Sequence, residues 1–225
     1  LAGISEKSSI IDCATLAESD MKGMSEAVVA KGGRFLEAPV SGSKVPAATG
    51  TLIFLCAGSK VLFEEPTVQA SLNAMGKASH FFKEDVGHGT RAKLVVNSLM
   101  GTMVAAYSEA LALSENCDLD PSTMIEVIGQ GAIQSPVYAL KGPKMVKKDH
   151  APNFPLKHAH KDMALASSLA KEKGVEFSVM DQAEKLFRRA REDCELNVAD
   201  EDFSAVFEAV HKDSTGEFST KRKSS

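Results

Sequence analysis

At 225 residues, with 44% hydrophobic and 25% charged content, the chain is long enough to bury one large core or two small ones, and its composition is that of an ordinary globular protein. A net charge of −4 with no large basic stripe argues against nucleic acid as a partner, and no run reaches the roughly 18 to 20 apolar residues of a membrane span. Cys13, Cys56, Cys117 and Cys194 lack C-x-x-C spacing and read as reduced thiols rather than a zinc site or disulfide framework, so no metal and a cytoplasmic location are expected.

Residues 8–13 read as a short buried strand. Thr15-Leu16-Ala17-Glu18 then has capping-box spacing for a helix with Met21, Met24 and Val28 on one face, which Lys31-Gly32-Gly33 stops. Residues 34–38 and 51–57 are further strands, and the strand, helix, strand alternation predicts an α/β unit with parallel pairing. Between them, Pro39-Val40-Ser41-Gly42-Ser43-Lys44-Val45-Pro46 is a loop at a strand end, where α/β folds place ligands. Its Ser41-Gly42-Ser43 offers hydroxyls and close backbone N–H groups, which suit a small carboxylate as well as a plain turn. Residues 60–75 form a helix interrupted near Pro66, Gly76 ends it, and His80-Phe81-Phe82 is a fourth strand.

After Gly89 the pattern changes. From Thr90 to about Cys117, Leu94, Met100, Met103, Val104, Tyr107 and Leu111 recur at helical spacing, giving a helix of about 40 Å that suits a link between two domains. Asp120-Pro121 opens another helix, and further helical segments fall near 135–147, 157–173, 180–195 and 200–211. The organisation expected is an α/β part over 1–86, an all-helical part over 87–213 and a disordered polar tail over 214–225 that carries Lys221-Arg222-Lys223.

Gly87-His88-Gly89-Thr90-Arg91-Ala92 fits the G-x-G-x-x-A pattern of a dinucleotide fingerprint and follows a strand. No second strand with a ribose-binding acid follows its helix, however, so the glycines read as a turn that opens a helix. Lys93 and Asn97, four apart, share one face of that helix, with Ala92, Leu94, Val95 and Val96 placing Lys93 at the edge of an apolar stripe. An ammonium there suits general acid or base work, with the amide orienting an oxygen substituent. His158 and His160 diverge by about 200° on a helix, a poor metal pair.

Four strings together, RFLEAPVSGSKVPA (34–48), VGHGTRAKLVVN (86–97), FPLKHAHKDM (154–163) and DFSAVFEAV (202–210), resemble the β-hydroxyacid dehydrogenase family, the group that contains 3-hydroxyisobutyrate dehydrogenase, and within it the glyoxylate and succinic semialdehyde reductase branch. The resemblance implies α/β plus all-α architecture: the C-terminal part of a Rossmann-type domain joined by a long helix to an all-helical domain. It implies hydride transfer from NAD(P)H, with NADPH favoured, to a short carboxylated aldehyde, and a homo-oligomer. In the roles it implies, Lys93 is the catalytic lysine, Asn97 orients the substrate, Ser41 and Gly42 bind its carboxylate, Phe154 and Asp162 line the substrate region, and Thr15 and Lys161 contact the cofactor.

Three departures bear on these roles. His88 stands where the family has a small or amide residue, and Asp12-Cys13-Ala14-Thr15 replaces Asp-x-Ser-Thr. The opening strand and phosphate loop of the family are not found, so the expectation is an N-terminally incomplete chain with impaired dinucleotide binding. Two other readings stay open: a non-catalytic interaction or oligomerisation module, as in a related nuclear branch without the lysine, and a 3-hydroxyisobutyrate-type dehydrogenase. The lack of a multi-Arg phosphate site near Ser41 and Lys93 argues against a phosphorylated sugar acid.

Overall fold

β1 (Ser9–Asp12) and β2 (Arg34–Glu37) run parallel, joined by α1 (Glu18–Val29). The computed structural model describes residues 3–215, with side chains described for 3–212; the Lys221-Arg222-Lys223 cluster and nearly all of the expected polar tail lie outside the described residues. The chain forms two compact units, Leu1–Asn97 and Ser98–Ser225.

In the first unit α1 begins later than the capping-box spacing implies. Its N-cap is Ala17, which has no side-chain oxygen to cap with, while Asp12 closes a turn onto the Ala14 N–H (2.8 Å) further upstream. Thr15 therefore lies ahead of the cap. The helix does present the expected face: Met21 and Val28 are buried and Met24 packs beside them. Gly32, at φ +80°, ends it in the left-handed conformation that glycine adopts without a Cβ penalty.

The sheet is mixed rather than parallel throughout. β3 (Val40–Ser41) continues the path of β2 past Ala38 and Pro39, and both pair antiparallel with β4 (Leu52–Gly58), at Glu37↔Ala57 and Val40↔Phe54. The link over 42–51, which holds only the short α2 (Lys44–Ala48), is thus a hairpin loop and not a crossover. α3 (Lys60–Glu64) and α4 (Pro66–Met75) do cross over, and β5 (Gly76–Phe81) lies parallel to β4. The break between the helices falls at Pro66, which takes the first position of α4, where its missing N–H costs nothing.

Neighbours in β2 face opposite ways, as the two-residue period requires. Leu36 joins Phe54, Cys56, Leu62 and Leu72 on one side of the sheet, while Phe35 joins Met21 and Val28 on the other. Each such large side chain contributes roughly 1.5–3 kcal/mol by burial.

α5 (His88–Asn116) is long and apolar enough, by length and composition, to cross a membrane; half of its most apolar window is buried inside the protein, as in a core helix. Leu94, Val104, Tyr107 and Leu111 are buried along it. In the second unit follow α6 (Pro121–Gln130), α7 (Pro136–Lys147), α8 (Leu156–Glu172), α9 (Val179–Glu192), a 3₁₀ turn (Phe203–Ala205) and α10 (Val206–Thr215). α6 and α7 open alike: Asp120 accepts from Ser122 and Thr123 N–H, Ser135 accepts from Val137 N–H, and proline follows each cap. Met145, Leu156, Met163, Phe187 and Phe207 are fully buried in this unit.

Candidate active site

The opening turns of α5 invert the usual rule for a helix face. Thr90, Lys93, Asn97 and Ser98 are buried, Lys93 at 7% and Asn97 at 4% exposure, whereas Val95, Val96 and Leu99 are exposed. Sequence spacing put Lys93 at the edge of a valine stripe; it is instead one of the buried residues, and the valines point away. Buried polar groups are costly unless hydrogen-bonded, and here Lys93 Nζ donates to Asn97 Oδ1 at 2.9 Å. The i, i+4 spacing produces that contact directly.

Glu37 holds the start of this helix. Its side chain, 0% exposed at the end of β2, accepts from the N–H of Gly87, from Gly89 N (3.0 Å), from Thr90 N (3.0 Å) and from Thr90 Oγ1 (2.7 Å). A helix N-terminus leaves N–H groups without intrahelical partners, and a carboxylate there satisfies them and meets the positive end of the helix dipole. Both glycines serve the approach. Gly87 adopts φ +109°, and a Cβ on Gly89 would run into the carbonyl oxygen of Leu55 and the Glu37 side chain.

A second tie runs to α1. Arg91 donates to both carboxylate oxygens of Glu18, and Lys22 pairs with the same carboxylate at 2.6 Å. The Arg91 hydrogen bond, helped by Lys22 and working against burial, lowers the Glu18 pKa to about 2. His88 Nδ1 donates to Asp85 O (2.9 Å), which leaves Nε2 to accept from Arg91 (3.3 Å), so His88 braces this tie.

Ser41 and Gly42 lie where β3 leaves the sheet. Ser41 pairs with Ile53, and Gly42, at φ +126°, sits so close to Leu52 and Pro46 that a Cβ would come within 2.9 Å of each. Thr15 is on the loop after β1, at the same end of the parallel pair as the residue that follows β2. These residues, with Lys93 and Asn97, belong to the first unit.

Phe154, Lys161 and Asp162 belong to the second. Asp162 is 2% exposed in α8 and pairs with the half-exposed Lys161 at 3.1 Å. Phe154 packs edge-on against Phe203 (5.7 Å between centroids) and also stacks on His158. His160 is buried, accepting from Arg191 at Nδ1 and donating from Nε2 to Glu184 (2.9 Å). Among the described residues no cluster of three or more His, Cys, Asp or Glu could hold a metal ion.

Sequence reasoning missed two fully buried carboxylates. Glu37 is the first. The other is Asp202, which takes Lys141 Nζ at 2.7 and 2.9 Å and the N–H groups of Asn153, Phe154 and Ser204. Both stand inside the strings that carry the family resemblance, but, Ser204 aside, their partners are 48 to 61 residues away. An acid in an apolar run, Phe35-Leu36-Glu37-Ala38-Pro39, is a local signal for Glu37, whereas Asp202 follows Asp200 and Glu201 and carries none.

Comparison with known proteins decides the family. Residues 87–210 match the family described as NAD-binding of NADP-dependent 3-hydroxyisobutyrate dehydrogenase, and residues 1–87 match the NAD binding domain of 6-phosphogluconate dehydrogenase. Glyoxylate/succinic semialdehyde reductase 1 of Arabidopsis thaliana is 44% identical over 93% of this chain and 71% of its own length. The chain belongs to the β-hydroxyacid dehydrogenase family. It is thereby placed among NAD(P)-dependent oxidoreductases, with a Rossmann part and a helical domain as in its structural neighbours. A 3-hydroxyisobutyrate dehydrogenase from Salmonella typhimurium superposes with a TM-score of 0.81 at 25% identity, covering 88% of this chain and 68% of that one. The human cytokine-like nuclear factor N-PAC is 31% identical over 93% of this chain and 37% of its own length.

In this β-hydroxyacid dehydrogenase the G-x-G-x-x-A turn does not fit a pyrophosphate. Its N–H groups are spent on Glu37, and a second anion would meet the first. Lys93 and Asn97, one turn further on, are buried and hydrogen-bonded to each other.

Proposed function

We propose that the chain is an NAD(P)H-dependent reductase of short carboxylated aldehydes, such as glyoxylate or succinic semialdehyde, with Lys93 as the proton donor. One observation carries this reading: a lysine buried on the polar inner face of α5 and hydrogen-bonded to Asn97. The nicotinamide, when bound, supplies the hydride. As the carbonyl oxygen gains charge, the Lys93 ammonium stabilises it more than it stabilises the neutral aldehyde, then transfers its proton to the alkoxide. Asn97 fixes the lysine's terminal nitrogen and can donate its own N–H to the substrate oxygen.

Ser41 and the Gly42 N–H are assigned to the substrate carboxylate, and Phe154 and Asp162 to the lining of the substrate region. Thr15 and Lys161 are assigned to the cofactor, with NADPH preferred over NADH. Two anchors on one small substrate would give orientation, which is worth more to the rate than affinity alone. The kinship to the Arabidopsis reductase supports the substrate class. The exposed Val127, Ile133 and Leu140 of the helical unit support self-association, which sedimentation would measure.

Steady-state reduction of glyoxylate tests the central assignment. Lys93→Ala should lower kcat by about 10²–10⁴-fold while NADPH titration stays unchanged. Undiminished turnover would remove Lys93 from its role.

A further inference from the structure

We propose that Glu37 is a positioning residue for Lys93: an internal anion that fills the helix N-terminus of α5 and so sets the register of the lysine one turn further on. This rests on the assignment of Lys93 above. Glu37 reaches α5 across the sheet from β2, and the three residues it engages, Gly87, Gly89 and Thr90, are the turn and first helical residues before Lys93. Nothing on the helix itself supplies that function, since the first turn of α5 holds no acidic residue. Arg91 fixes the rotation of the same turn through Glu18. With the carboxylate and the guanidinium both engaged, the first turn has little freedom to slide or roll, and neither has the Lys93 side chain it carries.

Glu37 also sits at the start of the segment that leads to Ser41 and Gly42. That segment has its own anchorage, the pairing of Val40 with Phe54 and of Ser41 with Ile53, which does not depend on the Glu37 side chain. Loss of the carboxylate should therefore disturb the proton donor and spare the carboxylate anchor. The kinetic signature is a fall in kcat with KM for the aldehyde nearly constant.

The tests are Glu37→Ala and Glu37→Gln in the full chain. Glu37→Ala removes the equivalent of one acetate, so sodium acetate is the probe, with sodium chloride at equal ionic strength as the control. We expect kcat to fall about 10²-fold, the Gly89 and Thr90 amide protons to move upfield in NMR, and acetate to reverse both changes in a saturable way. Glu37→Gln keeps the volume but sets an amide N–H against the helix N–H groups, so it should show the amide shifts and a smaller kcat loss, with no response to acetate. Wild-type kcat in either variant overturns the proposal, as does an Ala variant indifferent to acetate. Should Glu37→Ala fail to fold, the Gln variant alone decides. If Lys93→Ala proves silent, the assignment of Lys93 falls, yet the amide shifts and their reversal by acetate still report whether Glu37 holds the helix.

Discussion

Each compact unit buries one carboxylate completely, and the two are compensated in opposite ways. Glu37, in the first unit, receives three backbone N–H groups and a hydroxyl, none of them formally charged, and leans on the helix dipole for the rest. Asp202, in the second, takes both hydrogen bonds of a buried ammonium, that of Lys141, which also rests 4.2 Å over the Phe203 ring. One arrangement tethers a helix end to a sheet; the other locks α7, the segment before α8 and the 3₁₀ turn around a single charge pair. The difference teaches where function can sit. A carboxylate satisfied by N–H groups and a hydroxyl fixes a helix end without a cation, whereas an ammonium committed twice over to Asp202 serves structure.

The largest expected effect comes from breaking the charge pair. Lys141→Met leaves Asp202 buried without its cation and should cost about 3–5 kcal/mol in urea denaturation. Adding Asp202→Leu should restore part of that loss, because an apolar pair of similar volume removes the stranded charge. A Lys141→Met protein as stable as wild type would mean that uncharged donors alone carry Asp202, as they do Glu37, and the contrast would collapse.

Acid sharpens the same contrast at a smaller scale. Burial raises the Asp202 pKa, but the Lys141 hydrogen bonds and charge, with the Asn153 and Ser204 N–H groups, outweigh it and hold the carboxyl below its ordinary value. Glu18 is lowered to about 2 from 4.5, chiefly by Arg91. Both are depressed in the folded state, so their contribution is complete above the unfolded values near 4 and is lost as pH falls through the folded ones. Stability should drop between roughly pH 5 and 2, and Glu18→Gln should flatten that part of the curve. A profile with the same slope in the variant would show that Arg91 does not depend on Glu18.

What could be read from the sequence follows the distance between partners. Lys93 and Asn97 are one turn apart, and the helical period alone brings them into contact. Asp120 and Ser135 cap helices whose first residue is the next proline, again a local matter. Glu37 and Asp202 were illegible because their partners, the Ser204 N–H aside, lie 50–53 and 48–61 residues away, beyond the reach of any local pattern. The antiparallel turn of β4 escaped for a related reason: Val40 and Ser41 form too short a strand to show alternation, yet they decide which way the chain returns. The burial of Lys93 was hidden more deeply, since an apolar run over 94–96 reads as an inner face until the exposed Val95 and Val96 show otherwise.

The smallest effect probes one donor of the four that Glu37 receives. Thr90 Oγ1 is the only side-chain group among them, and Thr90→Val keeps the shape while removing its hydrogen bond of 2.7 Å. A single bond to a charged acceptor is worth about 1.5–3 kcal/mol, and the three N–H groups that remain should hold the loss toward the lower end. Thermal or urea unfolding reads this directly. If Thr90→Val costs as much as Lys141→Met, Glu37 depends on one directed bond rather than on the helix terminus as a whole. A loss near 1.5 kcal/mol with kcat unchanged would show the backbone N–H groups sharing the carboxylate, so that no single donor sets the position of α5.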